Sequence, residues 1–179
     1  GQDITAQRTF PAQYTTTEPE APFVHTYSFF SAFADVTDLV RTAGNTEYTV
    51  SELDMTSLIY EDPTLGSINY YCRRGLNFGG WAIIVVYENA NLPLNQLNLY
   101  DGLQYVPSEI NINLPSLNVI DNEGAKIGFL AWEGDKAIRV NETLSINGHV
   151  LSNPPLNPYN NAFNGTNSVT NSDVLYNMD

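Results

Sequence analysis

Residues 81–87 read Trp-Ala-Ile-Ile-Val-Val-Tyr, with Gly79-Gly80 before them and Glu88-Asn89 after. Four consecutive β-branched side chains crowd a helix and fit a pleated strand. Seven residues are also too few for a core helix and the right length for a strand. The run has no polar alternation, so it predicts a strand buried on both faces, at the centre of a sandwich or sheet. At 179 residues and 19.9 kDa the chain is long enough for one domain with such a centre.

The remaining pattern repeats the strand theme. Leu97–Tyr100 and Leu103–Val106 flank Asp101-Gly102, and Thr143–Ile146 and His149–Leu151 flank Asn147-Gly148. Asp-Gly and Asn-Gly supply the positive φ of tight hairpin turns, so both pairs predict hairpins. Ile110, Ile112 and Leu114 alternate with Asn111 and Asn113, a period of two with one wet face. Lys126–Trp132, Thr46–Val50 and Tyr27–Phe30 complete about eight short strands. A single helix is expected near 35–43, with Asp35 as cap, Asp38 in the first turn and Gly44 as stop. These elements predict an all-β fold, a β-sandwich of jelly-roll type with one short helix.

Composition then narrows the function. Lys and Arg total 7 against 20 Asp and Glu, a net charge of −13. No basic surface is left to neutralise phosphates or an anionic bilayer, so nucleic-acid binding and membrane-surface binding are excluded as partners. Charged residues are only 15%, Lys occurs only at 126 and 136, and Asn occurs 21 times. The solvated surface is therefore built largely from amides, hydroxyls and carboxylates. Aromatic residues at 12% argue against an acidic disordered tail. A lone cysteine, Cys72, forbids an internal disulfide. No apolar stretch reaches a membrane span, and no direct membrane insertion is expected. The chain opens Gly1-Gln2-Asp3 without a signal-peptide pattern, as expected of a processed product or a piece of a longer protein.

The ends differ from the middle. Residues 1–26, with Pro11, Pro19 and Pro22, read as an extended arm or strand, and 27–152 as the sandwich core. Residues 153–179, rich in Asn, Pro, Ser and Gly, read as a polar arm.

The search for chemistry yields few convergent groups. His149 follows a turn and His25 lies in the arm, both read as solvated or structural. Cys72 beside Arg73 and Arg74 reads as an incidental thiol. Glu88, Glu133 and Asp135 are the acids that a glycoside-cleaving pair would draw on, but with 20 acids accidental pairs are expected. No enzyme activity and no cofactor are predicted. Calcium is the one candidate ion, because it takes six to eight oxygens from acids, amides and carbonyls. Its candidate ligands are Asp101, Glu133 and Asp135 at strand ends and turns, among neighbours such as Asp121 and Glu123. Tyr70, Tyr71 and Tyr159 fall in looser segments and are the candidate sugar-stacking rings, whereas Trp81 and Trp132 read as core. Asn141-Glu142-Thr143 and Asn164-Gly165-Thr166 are glycosylation sequons and mark surface positions, glycosylated only in a host with that machinery.

Several stretches occur in a characteristic order. They are Phe33-Ala34-Asp35-Val36-Thr37-Asp38-Leu39-Val40, Gly79-Gly80-Trp81, Val85-Val86-Tyr87-Glu88-Asn89, Leu92-Pro93-Leu94, Tyr100-Asp101-Gly102 and Gly128-Phe129-Leu130-Ala131-Trp132-Glu133-Gly134-Asp135. Over about residues 27–165 this set resembles the cell-surface adhesin domains of Bacteroidetes, similar to those of SprB-like gliding-motility proteins exported by the type IX secretion system. The resemblance implies an extracellular, non-catalytic, β-rich module of a large cell-surface protein, used for attachment or filament assembly. Its partners would be other surface-protein modules or extracellular polysaccharide. A calcium-assisted carbohydrate-binding module is the alternative. The resemblance assigns no role to individual residues, and it implies further strands beyond both ends.

Overall fold

The structure is a computed structural model. It describes residues 1–17, 24–53, 61–62, 68–69, 71, 75–76, 78–119, 123–132, 134–137 and 139–166. Among the described residues the named elements are strands and one short helix. Strands β1 (Arg8–Thr17) and β2 (Val24–Phe33) precede helix α1 (Thr37–Ala43). Then follow β3 (Glu61–Asp62), β4 (Ile68–Asn69), β5 (Ser145–Ile146) and β6 (His149–Val150). They pair as three two-stranded antiparallel sheets, β1–β2, β3–β4 and β5–β6. The chain divides into two compact units, Gly1–Leu58 with Val85–Ile120, and Ile59–Ile84 with Asp121–Asp179.

The first unit is built on the β1–β2 ribbon. Within residues 1–26, read as an extended arm or strand, Arg8–Thr17 form a ten-residue strand in full register with β2, with Tyr14 opposite Tyr27 and Arg8 opposite Phe33. Alternation explains why. Phe10, Ala12, Tyr14 and Thr16 share one face with His25, Tyr27, Phe29, Ser31 and Phe33, and that face is the covered one. Tyr27 is wholly buried. Tyr14 stacks on it at 6.0 Å between centroids and on Tyr105 at 4.8 Å. His25 meets the Tyr27 ring edge-on at 4.6 Å, so it is part of the ribbon's covered face. The outer face is tied laterally by hydroxyl and amide groups, Thr15 to Thr26 at 2.9 Å and Gln13 Nε2 to Ser28 Oγ at 3.4 Å.

Helix α1 forms close to the expected 35–43, but its N-cap is Val36 and not Asp35, and that cap makes no side-chain hydrogen bond. The Asp35 carboxylate accepts the Thr37 N–H at 2.9 Å. The same contacts with Thr37 hold its carboxyl below the ordinary value of 3.8. Asp38 pairs with Arg41 at 2.8 Å, one turn on. Gly44, at φ 68°, ends the helix with its N–H on the Val40 carbonyl. The Tyr48 hydroxyl donates to the Gly44 carbonyl at 2.5 Å.

Several predicted strand regions differ from expectation. Residues 81–87 have no ladder partner among the described residues, and Ile84, Val85, Val86 and Tyr87 are exposed, Tyr87 at 69%. The run prefers an extended backbone, but a strand buried on both faces needs neighbours on both sides, and no described strand lies beside it. Asp101-Gly102 forms no hairpin either. Gly102 lacks the positive φ that the turn requires. The Asp101 Oδ2 accepts instead from Arg8 Nε and NH2, at 2.9 and 2.7 Å. Among the described residues, segments 46–50, 110–114 and 126–132 likewise form no named strand, Trp132 alone making a bridge. The Asn147-Gly148 turn forms as predicted, with φ 50° and 81°, and joins β5 to β6.

Candidate functional site

The densest packing in the second unit lies in the Asn-rich stretch that composition marks as an arm. Asn161, Ala162, Asn164 and Thr166 are all buried, Asn161 at 1% exposure. Amide side chains do the work that a ladder does elsewhere, by binding backbone groups directly. Asn161 Nδ2 donates to the Asp135 and Lys136 carbonyls at 3.2 and 3.3 Å. Asn157 Nδ2 donates to the Ala162 carbonyl at 2.6 Å, and Asn164 Nδ2 to the Leu156 carbonyl at 2.9 Å. Asn153 and Asn157 exchange two backbone bonds, of 2.6 and 2.9 Å. Backbone bonds from Ala162 to Glu142 and from Asp135 to Phe163 fasten the stretch to residues 135–142. Each amide thereby satisfies a carbonyl that burial would otherwise strand.

Aromatic packing completes this unit. Phe78 stacks on Trp132 at 6.3 Å, and Phe129 meets Phe163 edge-on at 5.9 Å. A Cβ on Gly80 would lie 2.7 Å from the Trp132 ring, so glycine is required there by close approach. Trp81, expected in the core, is 44% exposed.

The candidate residues fall in different units of the chain. Asp101, held by Arg8, belongs to one unit and Asp135 to the other. Asp135 is half-buried, its N–H on the Phe163 carbonyl. Glu133 lies outside the described residues. Among the described residues no group of three or more His, Cys, Asp or Glu is gathered closely enough to hold a metal ion. Tyr159 is exposed at 62%, as a stacking ring must be, whereas Tyr71 is buried. Tyr70, Cys72, Arg73, Arg74 and Asp121 lie outside the described residues. Glu88, Glu123 and His149 are exposed.

The sequence reading missed a larger surface feature. Between 84 and 119, Ile84, Val85, Val86, Leu92, Leu94, Leu97, Leu99, Ile112, Leu117 and Val119 all expose half or more of their surface. Isolated apolar residues on a surface are ordinary, whereas ten along one segment mark it as a candidate for contact. Residues 85–119 contain Glu88, Asp101 and Glu109 and no Lys or Arg. Comparison with family models, with curated proteins and with solved structures finds no match for this chain.

Proposed function

We propose that this chain is an extracellular structural or adhesive module of a large bacterial cell-surface protein, which mediates attachment or filament assembly without catalysis. The observation that carries this reading is the exposed apolar segment 84–119, whose side chains serve contact with a neighbouring module. The resemblance to adhesin domains and the near absence of Lys support the same reading. In the assembled state the strands complete a β-sandwich of jelly-roll type, with the 81–87 run at its centre. Repetition along a parent chain raises avidity by about 10²–10⁴ without new contacts.

Charge sets the conditions for assembly. The unit formed by Gly1–Leu58 and Val85–Ile120 holds eleven acids and two arginines, so copies repel at low ionic strength. Light scattering of the purified chain between about 10 mM and about 1 M NaCl tests this. Association that strengthens with salt, and that Leu94→Asp with Leu97→Asp abolishes, is the expected result. Association that weakens steadily with salt would overturn it.

A carbohydrate-binding module, calcium-assisted, is the second reading, and the exposed Tyr159 ring favours it. A glycan array with and without chelator decides, and Tyr159→Ala should remove any binding found. Silence on every polysaccharide under both conditions ends this alternative.

A further inference from the structure

The pattern Asn-x-Thr occurs twice, at Asn141-Glu142-Thr143 and at Asn164-Gly165-Thr166, and the structure uses the two in opposite ways. Over 141–147 exposure alternates residue by residue. Asn141 and Thr143 point outward together, while Glu142 faces in and forms a parallel bridge with Asn161. Asn141 stands at φ 65° and is exposed. At the second copy everything is reversed. Asn164 is 5% and Thr166 7% exposed. The nitrogen that would carry a sugar donates to the Leu156 carbonyl at 2.9 Å. The Thr166 hydroxyl and N–H are both spent on Asn164 Oδ1, at 2.6 and 3.3 Å.

We infer that Asn141 is an acceptor for an N-linked glycan and that Asn164, with the same three-residue pattern, is a structural residue closed to modification. An N-glycan is bulky and solvated, so its acceptor amide and the Thr two residues on must both sit on the surface where an enzyme can grip them. Only Asn141 meets that demand. The co-substrate is a polyprenyl-diphosphate-linked oligosaccharide. A bond forms between Asn141 Nδ2 and C1 of the first sugar, and the C1–O bond to the diphosphate breaks. Polyprenyl diphosphate leaves with the bonding pair, and the amide nitrogen gives up one proton. Occurrence in the living cell rests on the extracellular placement proposed above, but acceptor competence does not, so the two fail separately.

The test uses the purified, folded full chain with a single-subunit oligosaccharyltransferase that requires only Asn-x-Thr, and a lipid-linked oligosaccharide. Glycopeptide mass spectrometry should find one glycan, on Asn141. Asn141→Gln and Thr143→Ala should each abolish it, Thr143→Ser should retain it, and Asn164→Gln should leave it unchanged. A synthetic peptide spanning residues 160–170 should be modified at Asn164, because outside the fold its amide is free. An unmodified Asn141 in the folded chain, or a glycan on Asn164 of the folded chain, would overturn the inference.

Discussion

Residues 84–119 and residues 153–166 invert the usual relation between polarity and burial. The first segment holds the most strongly β-branched sequence of the chain and leaves it in water. The second is loop-like in composition, yet supplies most of the buried residues among those described. Apolar side chains gain from burial only when a partner surface exists to cover them. Asn carries its own means of burial, because one amide can satisfy two backbone groups at once. Asn161 does so with the carbonyls of Asp135 and Lys136. A polar segment can therefore close upon itself where an apolar one waits for a neighbour.

The largest effect that would break this contrast is deletion of 153–166. If the segment is the packing centre of its unit, removal should eliminate the cooperative urea transition of that unit, whereas a solvated arm would leave the transition untouched. Asn161→Ala is the single-residue version. It strips the donor from two carbonyls and should cost about 2–3 kcal/mol in the same measurement. Gly80→Ala should cost about 1–3 kcal/mol, because the new methyl group meets the Trp132 ring at 2.7 Å and forces it to move. A shift in tryptophan emission should accompany the loss.

These outcomes bear on what the sequence could reveal. The Asn147-Gly148 turn and helix α1 were legible because each is written in local chemistry, positive φ at the turn and a stop glycine at the helix end, although the N-cap fell on Val36 and not on Asp35. The β1–β2 ribbon was half legible. Its even-numbered face alternates visibly, but the three prolines of 11–22 masked a strand that carries Pro11 opposite Phe30. Pro is tolerated there because a two-stranded ribbon leaves half its N–H groups facing away from the partner. The burial of 161–166 was hidden, since Asn in a turn and Asn beneath a fold are the same letter until carbonyls 26 residues away are brought to them. The candidate site suffered likewise. Tyr71 and Tyr159 read alike in sequence, and only tertiary packing buries one and exposes the other.

Tyr105 probes the contrast from the other side, because there, as at Leu103, Ile110 and Leu114, the largely exposed segment is partly covered. Burial, then the neighbouring Tyr14 through charge and hydrogen bonding, raises its hydroxyl above the ordinary 10.0. A group whose folded pKa is raised stabilises fully below its unfolded pKa, and that contribution is lost as pH rises through the folded one. Stability of the first unit should therefore decline from about pH 10 upward. Tyr105→Phe should flatten this decline in urea melts recorded at several alkaline pH values.

The smallest effect on stability is expected at Leu94 and Leu97, and it decides the most. Both side chains are exposed, Leu94 completely, so Leu94→Asp with Leu97→Asp should change the unfolding free energy by no more than about 0.5 kcal/mol. A module that buries these leucines only against a neighbour would melt as before while its salt-induced association disappears. A loss of several kcal/mol in the isolated chain would mean that the segment already has its cover within one molecule. The inversion between the two segments would then be a property of neither, and the surface proposed for attachment would be lost with it.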